Sequence, residues 1–496
     1  MPDQAEQTQA QPAAATAEVT EFESLLNKEF KPKTAEAKSA VKLAVQTLAE
    51  QALAASTLVS DNAIKTIEAI IAEIDRKLSE QINLILHHDD FKNLEGSWRG
   101  LHYLVNNTET GENLKIRVMN ISKKEVSKTL KKFKGTAWDQ SPLFKKLYEE
   151  EFGMPGGQPF GCLMGDYYFD HSAPDVEMLA GIAQISAAAH APFISAASPS
   201  LLNMETWQEL ANPRDLAKIF GTPEYAAWKS LRQSEDSRYL GLTMPRVLAR
   251  LPYGAKTSPV EEFAFEEDTA GADHTKYTWT NAAYSMATNI TRSFKLYGWC
   301  ARIRGAESGG MVEGLPVHSF PTDDGGVDMK CPTEIGITDR REAELASCGM
   351  MPISHWKNTD YAVFVGAQSL QKPQEYDDPD ATANANLAAR LPYLFATCRF
   401  AHFLKCIVRD KVGGFASRES LQEWLNRWIS RYVDSNPSST DEVKARFPLS
   451  SAEVVVEEVE GNPGYYSSKF FLKPHYQLEG LTVSLRLVSK LPSQKK

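Results

Sequence analysis

The sequence has few cysteines, and none of them are arranged as a metal or redox site. Its six cysteines are spread along the chain and no two are spaced as C-x-x-C. A structural zinc site needs clustered cysteine or histidine ligands, and no such cluster is visible. The first 20 residues lack lysine, arginine and an apolar core, so they do not resemble a secretory signal. We therefore expect reduced thiols and a cytoplasmic location.

An excess of positive charge is also missing. Lysine and arginine together number 54 against 64 aspartates and glutamates, a net charge of −10. A net anion gains nothing from the release of phosphate counterions, so nucleic acid is not an expected partner. Charged residues interrupt every long apolar run, and no segment approaches the ~20 residues of a membrane span. Direct membrane insertion is not expected.

No known catalytic motif is present. The chain contains no phosphate-binding P-loop, no dinucleotide fingerprint after a strand and no nucleophile elbow. An acidic group, Asp166, Asp170, Asp175 and Glu177, lies at the end of a predicted strand, but helix capping explains Asp175 equally well and no nucleophile or base accompanies the group. We expect no catalytic residue, cofactor or metal ion, with a cytosolic enzyme of unrecognised site as the remote alternative.

Glycine is absent from the first 95 residues, and this favours helix. Residues 1–60 read as an Ala/Gln-rich arm, and residues 61–135 as a helical region. Asp61 could cap a helix of about 27 residues, because large apolar residues follow it at spacings of three and four. They are Ile64, Ile67, Ile71, Ile74 and Leu78. So narrow a stripe suits packing against another helix, from this chain or from a partner.

Residues 136–380 read as a central α/β domain. Residues 160–169 and 192–197 are predicted strands, and a helix over 174–190 lies between them. A strand, helix and strand in so short a span predict a βαβ unit with parallel pairing. The fold class is therefore mixed α/β, with a helical region before this domain.

The C-terminal part changes from helical to β-rich. Residues 381–450 contain two predicted helices, over 388–411 and 417–433. Residues 451–496 contain three predicted strands, over 454–459, 468–472 and 481–488. In the last of them Leu481, Val483, Leu485 and Leu487 alternate with polar residues, which is typical of a strand with one covered face.

Several short segments together carry a family resemblance. The clearest is Leu94-Glu95 followed by Trp98-Arg99-Gly100-Leu101. Others follow in order, among them Gly165–Tyr167, Met244–Arg246, Pro332–Glu334 and Pro463–Tyr466. From about residue 60 onward the chain resembles the large contractile-sheath subunit of bacterial type VI secretion systems, the TssC/VipB family.

The resemblance implies a structural role. Such a subunit forms a heterodimer with a small sheath subunit (TssB/VipA type), polymerises helically with other copies of itself around an inner tube of Hcp-type hexamers, and stands on a baseplate. Contraction propels the tube and its spike into a target cell, and an AAA+ unfoldase acts on the contracted sheath. A phage-tail-like sheath of another contractile injection system is the alternative.

The resemblance also suggests roles for particular residues. The stripe on the long helix would meet the small subunit, residues 381–450 would form helices of the sheath wall, and the tail would pair with neighbouring subunits. The tail residues concerned are Val454, Val456, Phe470, Leu472, Leu481, Val483, Leu485 and Leu487. A helix near the C-terminus would face the tube by charge. The candidates are Arg399, Lys405 and Arg409 on the first C-terminal helix, and Arg418, Arg427 and Arg431 on the second, which we favour.

Overall fold

The chain divides into two units with unequal numbers of secondary-structure elements. The computed structural model describes residues 34, 36–37, 39–43, 47, 63–212, 215–269, 273–322, 324–411, 417–458, 466–475 and 477. One unit comprises Met1–Leu86 and Tyr253–Asp268, and the other His87–Pro252 and Thr269–Lys496.

The helices of the described residues are α1 (Ala63–Leu86), α2 (Asp89–Asn106), α3 (Lys123–Lys132), α4 (Pro142–Phe144), α5 (Ala173–Ala189), α6 (Leu216–Gly221), α7 (Ala226–Gln233), α8 (Ala282–Tyr297), α9 (Asp339–Ser347), α10 (Pro379–Ala388), α11 (Leu391–Lys411), α12 (Arg418–Ile429) and α13 (Asp441–Arg446). A π-helix, Lys145–Gly153, continues α4.

The strands are β1 (Leu163–Phe169), β2 (Phe193–Ala197), β3 (Leu240–Met244), β4 (Val247–Leu248), β5 (Trp279–Thr280), β6 (Met311–Val312), β7 (His318–Pro321), β8 (Val327–Lys330), β9 (Met350–His355), β10 (Ala362–Phe364), β11 (Leu449–Glu458) and β12 (Tyr466–Pro474).

The first unit is built on α1, the long helix that the apolar stripe predicted. Its 24 residues span about 36 Å, so it is slightly shorter than the helix of about 27 residues that the sequence predicts. The predicted cap, Asp61, lies outside the described residues. Near the other end the Asn83 side chain donates to the Glu266 carbonyl (3.3 Å) and accepts from the Asp268 amide (2.9 Å). These two bonds attach residues 253–268 to the helix.

The second unit is organised around a six-stranded sheet of order β1-β2-β3-β9-β10-β6. The first four strands are parallel, and β10 is antiparallel to both β9 and β6. The predicted βαβ unit is confirmed as β1, α5 and β2. β1 begins three residues later than predicted, because its ladder starts where the Leu163 amide donates to the Pro192 carbonyl (2.8 Å).

Helices cover both faces of this sheet. Phe193, Leu242 and Met350 lie in a core cluster with residues of α5, α7 and α9. Their strand neighbours Ile194 and Met351 lie in a second cluster with residues of α8 and α11. Consecutive strand residues point to opposite faces, so a sheet covered on both sides has nearly continuous apolar strands.

The C-terminal region packs α11 and α12 against the β11–β12 hairpin. Trp299 stacks on Phe400 with ring centroids 4.5 Å apart, and Leu425, Ile429 and Val454 complete this core. The single helix predicted over 388–411 is wrong at its start, since α10 ends at Ala388 and α11 begins at Leu391. Proline is tolerated in the first turn of a helix, and Pro392 accordingly sits at the start of α11.

α11 is also the one helix in the described residues that is long and apolar enough to cross a membrane, by length and composition alone. The span is Leu391–Asp410, and 56% of its most apolar window is buried inside the protein. The expectation that no segment approaches a membrane span in length is therefore wrong for this helix. Its apolar residues form part of two core clusters, which is typical of a core helix.

Candidate functional site

The carboxylates of the acidic group at the end of β1 make structural contacts. Lys123 Nζ lies 2.7 Å from Asp175 Oδ2 and donates to the Tyr168 carbonyl (2.6 Å). Asp170 Oδ1 accepts from the Ser172 amide (2.8 Å), which forms the turn into α5. These carboxylates therefore join α3 and the start of α5 to the end of β1.

The other two acidic residues are also engaged. Asp166 accepts a hydrogen bond from the Tyr284 hydroxyl (3.2 Å), and Glu177 pairs with Lys134 (2.5 Å). His88, half of the sequence's one histidine pair, caps α2 by accepting from the Asp90 amide (3.3 Å). Within the described ranges, no three histidine, cysteine, aspartate or glutamate side chains are grouped so that they could hold a metal ion.

The segment with the clearest family resemblance is α2, and one face of it is deeply buried. A Cβ on Gly96 would lie 2.3 Å from the Trp279 carbonyl oxygen, and a Cβ on Gly100 would lie 2.3 Å from Thr280 Oγ1. Only glycine lets the α2 backbone lie this close to Trp279 and Thr280, because real Cβ contacts are not shorter than about 3 Å. The two glycines let α2 lie directly against β5.

A buried ion network fixes the same face. Glu95 Oε1 accepts from Arg250 Nε and from Arg99 Nε, both at 2.7 Å, and its Oε2 accepts from Thr278 (3.1 Å). Burial alone would raise the pKa of Glu95, but the hydrogen bonds and charges of Arg250 and Arg99 outweigh it and hold the pKa below its usual range. The carboxylate is therefore charged at neutral pH and ties α2 to the chain around β4.

The opposite face of α2 is apolar and exposed. Leu94 is 56% exposed and Trp98 65%, and Phe91 and Val105 are exposed beside them. With the half-buried Leu101 they recur at spacings of three and four, which places them on one stripe about 21 Å long. We call this set the α2 stripe. The sequence analysis did not predict the α2 stripe, although the three- and four-residue spacing of its apolar residues is visible in the sequence.

The predicted interface helix also exposes apolar residues. Ile71 is 51% exposed, Ile74 and Leu78 are half-buried, and the side chains of Ile64 and Ile67 lie outside what the structure describes. Leu84 and Ile85, further along α1, are exposed as well. Apolar residues grouped on the exposed face of a helix are typical of surfaces that bind other chains.

The cations of α11 lie largely inside the protein. The Arg399 guanidinium stacks 4.6 Å from the Phe403 ring centre, and burial lowers the pKa of Arg399. Lys405 Nζ lies 2.9 Å from the Tyr148 hydroxyl and 3.9 Å from the Phe152 ring centre. Arg409 is half-buried, with Nη2 3.8 Å from Cys406 Sγ.

The cations of α12 lie at the surface instead. Arg418 pairs with Glu419 (2.9 Å) and Arg427 with Glu423 (3.5 Å), and all four side chains are at least half exposed. Arg431, in the turn that follows, is exposed too. Of the two predicted tube-facing sets, this is the accessible one.

The β11–β12 hairpin has one occupied edge. The Asn426 side chain of α12 accepts from the Val454 amide (2.9 Å) and donates to its carbonyl (2.8 Å), and Gln422 accepts from the Val456 amide (2.9 Å). These amides therefore bond as they would to a neighbouring strand. On its other side β11 pairs with β12, which has no second strand partner among the described residues.

The side chains predicted for strand linking point into the protein's own core. Val454 and Val456 are buried, and Phe470 and Leu472 pack against the same cluster. Any pairing with another chain would therefore use the backbone of β12. The other four predicted residues, Leu481, Val483, Leu485 and Leu487, lie outside the described residues.

The last described residue, Gln477, is anchored in the second unit. Its amide donates to the Tyr393 hydroxyl (2.8 Å), its side-chain Nε2 donates to the Ala301 carbonyl (2.9 Å), and its Oε1 accepts from Arg304 Nε (2.9 Å). We call this set the Gln477 clamp. No pattern in the sequence singled it out, because its partners lie far away along the chain.

Comparison with known proteins identifies relatives of the whole chain. The tail sheath N-terminal domain of the VipB (EvpB-type) family matches residues 68–371, and that family's gpW/gp25-like tail sheath domain matches residues 380–491. The type VI secretion system sheath protein TssC1 of Pseudomonas aeruginosa PAO1 is 73% identical over 487 residues, which cover 98% of each chain.

Two solved structures show a much weaker likeness. The anti-feeding prophage baseplate matches with a TM-score of 0.34 and 12% identity, over 64% of this chain and 67% of that one. The contracted helical sheath of the same prophage matches with a TM-score of 0.30 and 12% identity, over 62% and 66%. Likeness at that level does not identify a shared fold.

The ion network on α2 predicts a pH-dependent stability. Glu95→Gln should lower the free energy of unfolding by about 3 kcal/mol at neutral pH, since it removes a buried carboxylate that pairs with Arg250 and Arg99. The folded-state pKa of Glu95 lies below the unfolded value of about 4.3. The stabilisation is therefore complete above that value and is lost as the pH falls through the folded-state pKa.

Urea unfolding of the two proteins at several pH values between 7 and 3 measures this difference. Glu423→Gln, which breaks an exposed pair on α12, is the matched control and should cost about 0.5 kcal/mol or less. A gap between wild type and Glu95→Gln that stays constant down to pH 3 would contradict the argument.

Proposed function

Because the chain belongs to the VipB family of tail sheath proteins and is a sheath protein of a type VI secretion system, we propose that it works as the large subunit of a heterodimer with a small sheath subunit. The heterodimers polymerise in the cytoplasm around an inner tube of Hcp-type hexamers, on a baseplate. Contraction then expels the tube, and an AAA+ unfoldase recycles the contracted sheath.

One observation carries this proposal, the 73% identity that extends over 98% of the chain. Identity over both tail sheath domains favours a type VI sheath over the alternative, a phage-tail-like sheath of another injection system. The family is one of structural proteins, and the acidic residues at the end of β1 serve the fold through their contacts with Lys123 and Lys134. We therefore assign no reaction to this chain.

The small subunit, in this proposal, binds the apolar stripe of α1. The stripe continues for several turns with its apolar residues at spacings of three and four, and a second amphipathic helix would bury it. Ile71 is the described residue of the predicted set that is most exposed. Burying the exposed half of this side chain would gain about 1 kcal/mol from the hydrophobic effect.

The inner tube, in this proposal, is held by α12 and the turn after it. Arg427 and Arg431 are exposed, whereas Arg399 and Lys405 on α11 are committed to aromatic rings of their own protein. A cationic surface attracts an anionic partner at a range set by the ionic strength. The helix is also fixed in place through its Asn426 and Gln422 contacts to β11.

The C-terminal tail, in this proposal, connects neighbouring subunits. Residues 481–488 have the alternation of a strand, and they follow the Gln477 clamp after three residues. Among the described residues β12 pairs with β11 alone, and a strand from another copy would pair with the other backbone edge of β12. A connection of this kind lets subunits stay joined while they rotate from one packing to another.

Co-expression with the small sheath subunit tests the assignment as a whole. Negative-stain microscopy of the co-purified complex should show tubes or cogwheel-shaped fragments, since heterologous contacts that do not close build open helices. A soluble protein that assembles nothing in this experiment and turns over a substrate would overturn the assignment.

Ile71→Asp should abolish co-purification of the small subunit, because the interface would then bury an unpaired charge. The free protein should keep its fold, since Ile71 is half exposed. Ala72→Asp, at an exposed position off the stripe, is the matched control and should co-purify normally. A normal yield of heterodimer with Ile71→Asp would place the interface elsewhere.

The double change Arg427→Glu and Arg431→Glu should leave the heterodimer and sheath intact but give sheaths that lack the inner tube. Both side chains are exposed, so the cost in stability is small. The count of filled and empty sheaths in micrographs measures the effect, with Arg446→Glu on α13 as the control. Normal tube retention in the double variant would eliminate α12.

Leu485→Pro should yield a soluble heterodimer that assembles no sheath. Proline removes a ladder N–H and fixes φ, so it breaks strand pairing while leaving α1 untouched. Gln494→Pro, beyond the alternating residues, should assemble normally. Loss of the heterodimer itself with Leu485→Pro would show that these residues belong to the subunit's own core, and the linking proposal would fail.

A further inference from the structure

The helix α3 concentrates positive charge in a chain whose net charge is negative. Residues 123–134 contain six lysines and one glutamate, a local charge of +5, while the whole chain carries −10. Three of these lysines form ion pairs with carboxylates at the start of α5; they are Lys123, Lys131 and Lys134. The other three form no ion pair with any residue that the structure describes; they are Lys124, Lys128 and Lys132. We call these three the α3 lysine stripe.

The α3 lysine stripe opposes the stability of its own helix. Its members are exposed and recur every four residues, which places them along one side of α3 over about 12 Å. Like charges at that spacing repel each other, and a cation in the first turn, such as Lys124, opposes the helix dipole. The helix is held instead by the capping box of Ser122 and Glu125 and by the buried Val126. An anionic surface bound to the stripe would offset this repulsion.

An exposed segment of the same unit carries the opposite charge. Residues 375–380 contain four carboxylates and no lysine or arginine, a local charge of −4, and all six residues are exposed. Glu375 and Asp377 form no ion pair within the part of the chain that the structure describes. Another acidic run, residues 261–268, is committed to its own fold, since two of its glutamates accept from backbone amides (2.9 and 2.8 Å). Residues 375–380 are therefore available to cations of another chain.

The shape of residues 375–380 is fixed by the start of α10. The Thr382 hydroxyl accepts from the Tyr376 amide (2.8 Å) and donates to the Tyr376 carbonyl (3.0 Å). Asp378 caps α10 by accepting from the Asp380 amide (3.0 Å). A surface that is ordered before binding loses less conformational entropy when it binds. The ring of Tyr376, half exposed among the carboxylates, adds a face on which a lysine side chain can lie.

We propose that the α3 lysine stripe of one copy of this chain binds residues 375–380 of a neighbouring copy. The two surfaces differ, so the contact is head-to-tail, and repetition of such a contact builds an open helix when its rotation does not close. Copies that each carry −10 repel one another, so a contact between opposite local charges selects which faces meet. This inference rests on the proposed assembly into a sheath and names the surfaces through which two large subunits bind.

Reversing charges of the stripe tests the contact without weakening α3. In the double variant Lys124→Glu and Lys128→Glu, an anion replaces a cation in the first turn, and a Glu–Lys pair at i,i+4 replaces the repulsion between Lys128 and Lys132. The helix should therefore stay folded and the small subunit should co-purify normally. Sheaths counted in micrographs should fall at least about tenfold, because like charges then face each other at the contact.

Reversing the other surface should produce the same defect. Glu375→Lys with Asp377→Lys should assemble as poorly as the α3 variant. The quadruple variant should return to within about twofold of the wild-type count, because opposite charges then meet again. The matched control is Lys256→Glu with Lys357→Glu, which makes the same change in net charge at exposed lysines elsewhere and should assemble normally.

Cross-linking of wild-type sheaths measures the contact without any variant. Sheaths assembled from a mixture of unlabelled and ¹⁵N-labelled protein are treated with a carbodiimide, which joins lysine to carboxylate. Mass spectrometry should find peptides of α3 joined to peptides with residues 375–380, one labelled and one not. Normal assembly of either double variant, no rescue in the quadruple variant, or cross-links from the stripe to the small subunit instead would overturn this inference and leave the sheath assignment standing. Absence of wild-type tubes would contradict the sheath assignment itself, and this inference with it.

Discussion

The rest of the second unit depends on how closely α2 approaches the strands around residue 280. Gly96 and Gly100 remove the side chains that would keep the helix away, and Glu95 then reaches Arg250 and Thr278. The glycines and Glu95 lie on neighbouring positions of α2, so the close backbone approach and the ion pair hold the same short segment of the helix. With α2 held this way, Leu94 and Trp98 necessarily face outward. One short motif therefore specifies a buried contact and an exposed surface together.

The charged residues of α2 are buried and its large apolar residues are exposed, and for this reason the motif on α2 does not resemble a catalytic site. Its charged residues neutralise one another inside the protein, and its large apolar residues are left on the surface. An enzyme site would combine the opposite features, a polar group that is accessible and an apolar wall around it. Here the polar groups are satisfied and the apolar groups are free, as expected of a subunit that is completed by other chains.

Sequence patterns predicted the regular parts of the fold and missed the contacts between distant segments. The β1–α5–β2 unit and the α1 stripe were readable because their periods are local. The break between α10 and α11 was missed, although Pro392 signals it. The inward position of Lys405 was not readable, because it depends on Phe152 and Tyr148, some 250 residues away. Spacing on one helix shows which residues share a face, but not whether that face is covered.

The Gln477 clamp has a mechanical consequence. Its three hydrogen bonds join one residue to three partners, the Tyr393 hydroxyl, the Ala301 carbonyl and the Arg304 guanidinium. A pull on the chain beyond it therefore loads all three bonds at once. Bonds in parallel share a force, whereas a zipper of bonds in series breaks one bond at a time. Any tension on the chain after Gln477 would therefore reach α11 and the loop after α8 before it reached the pairing of β12 with β11.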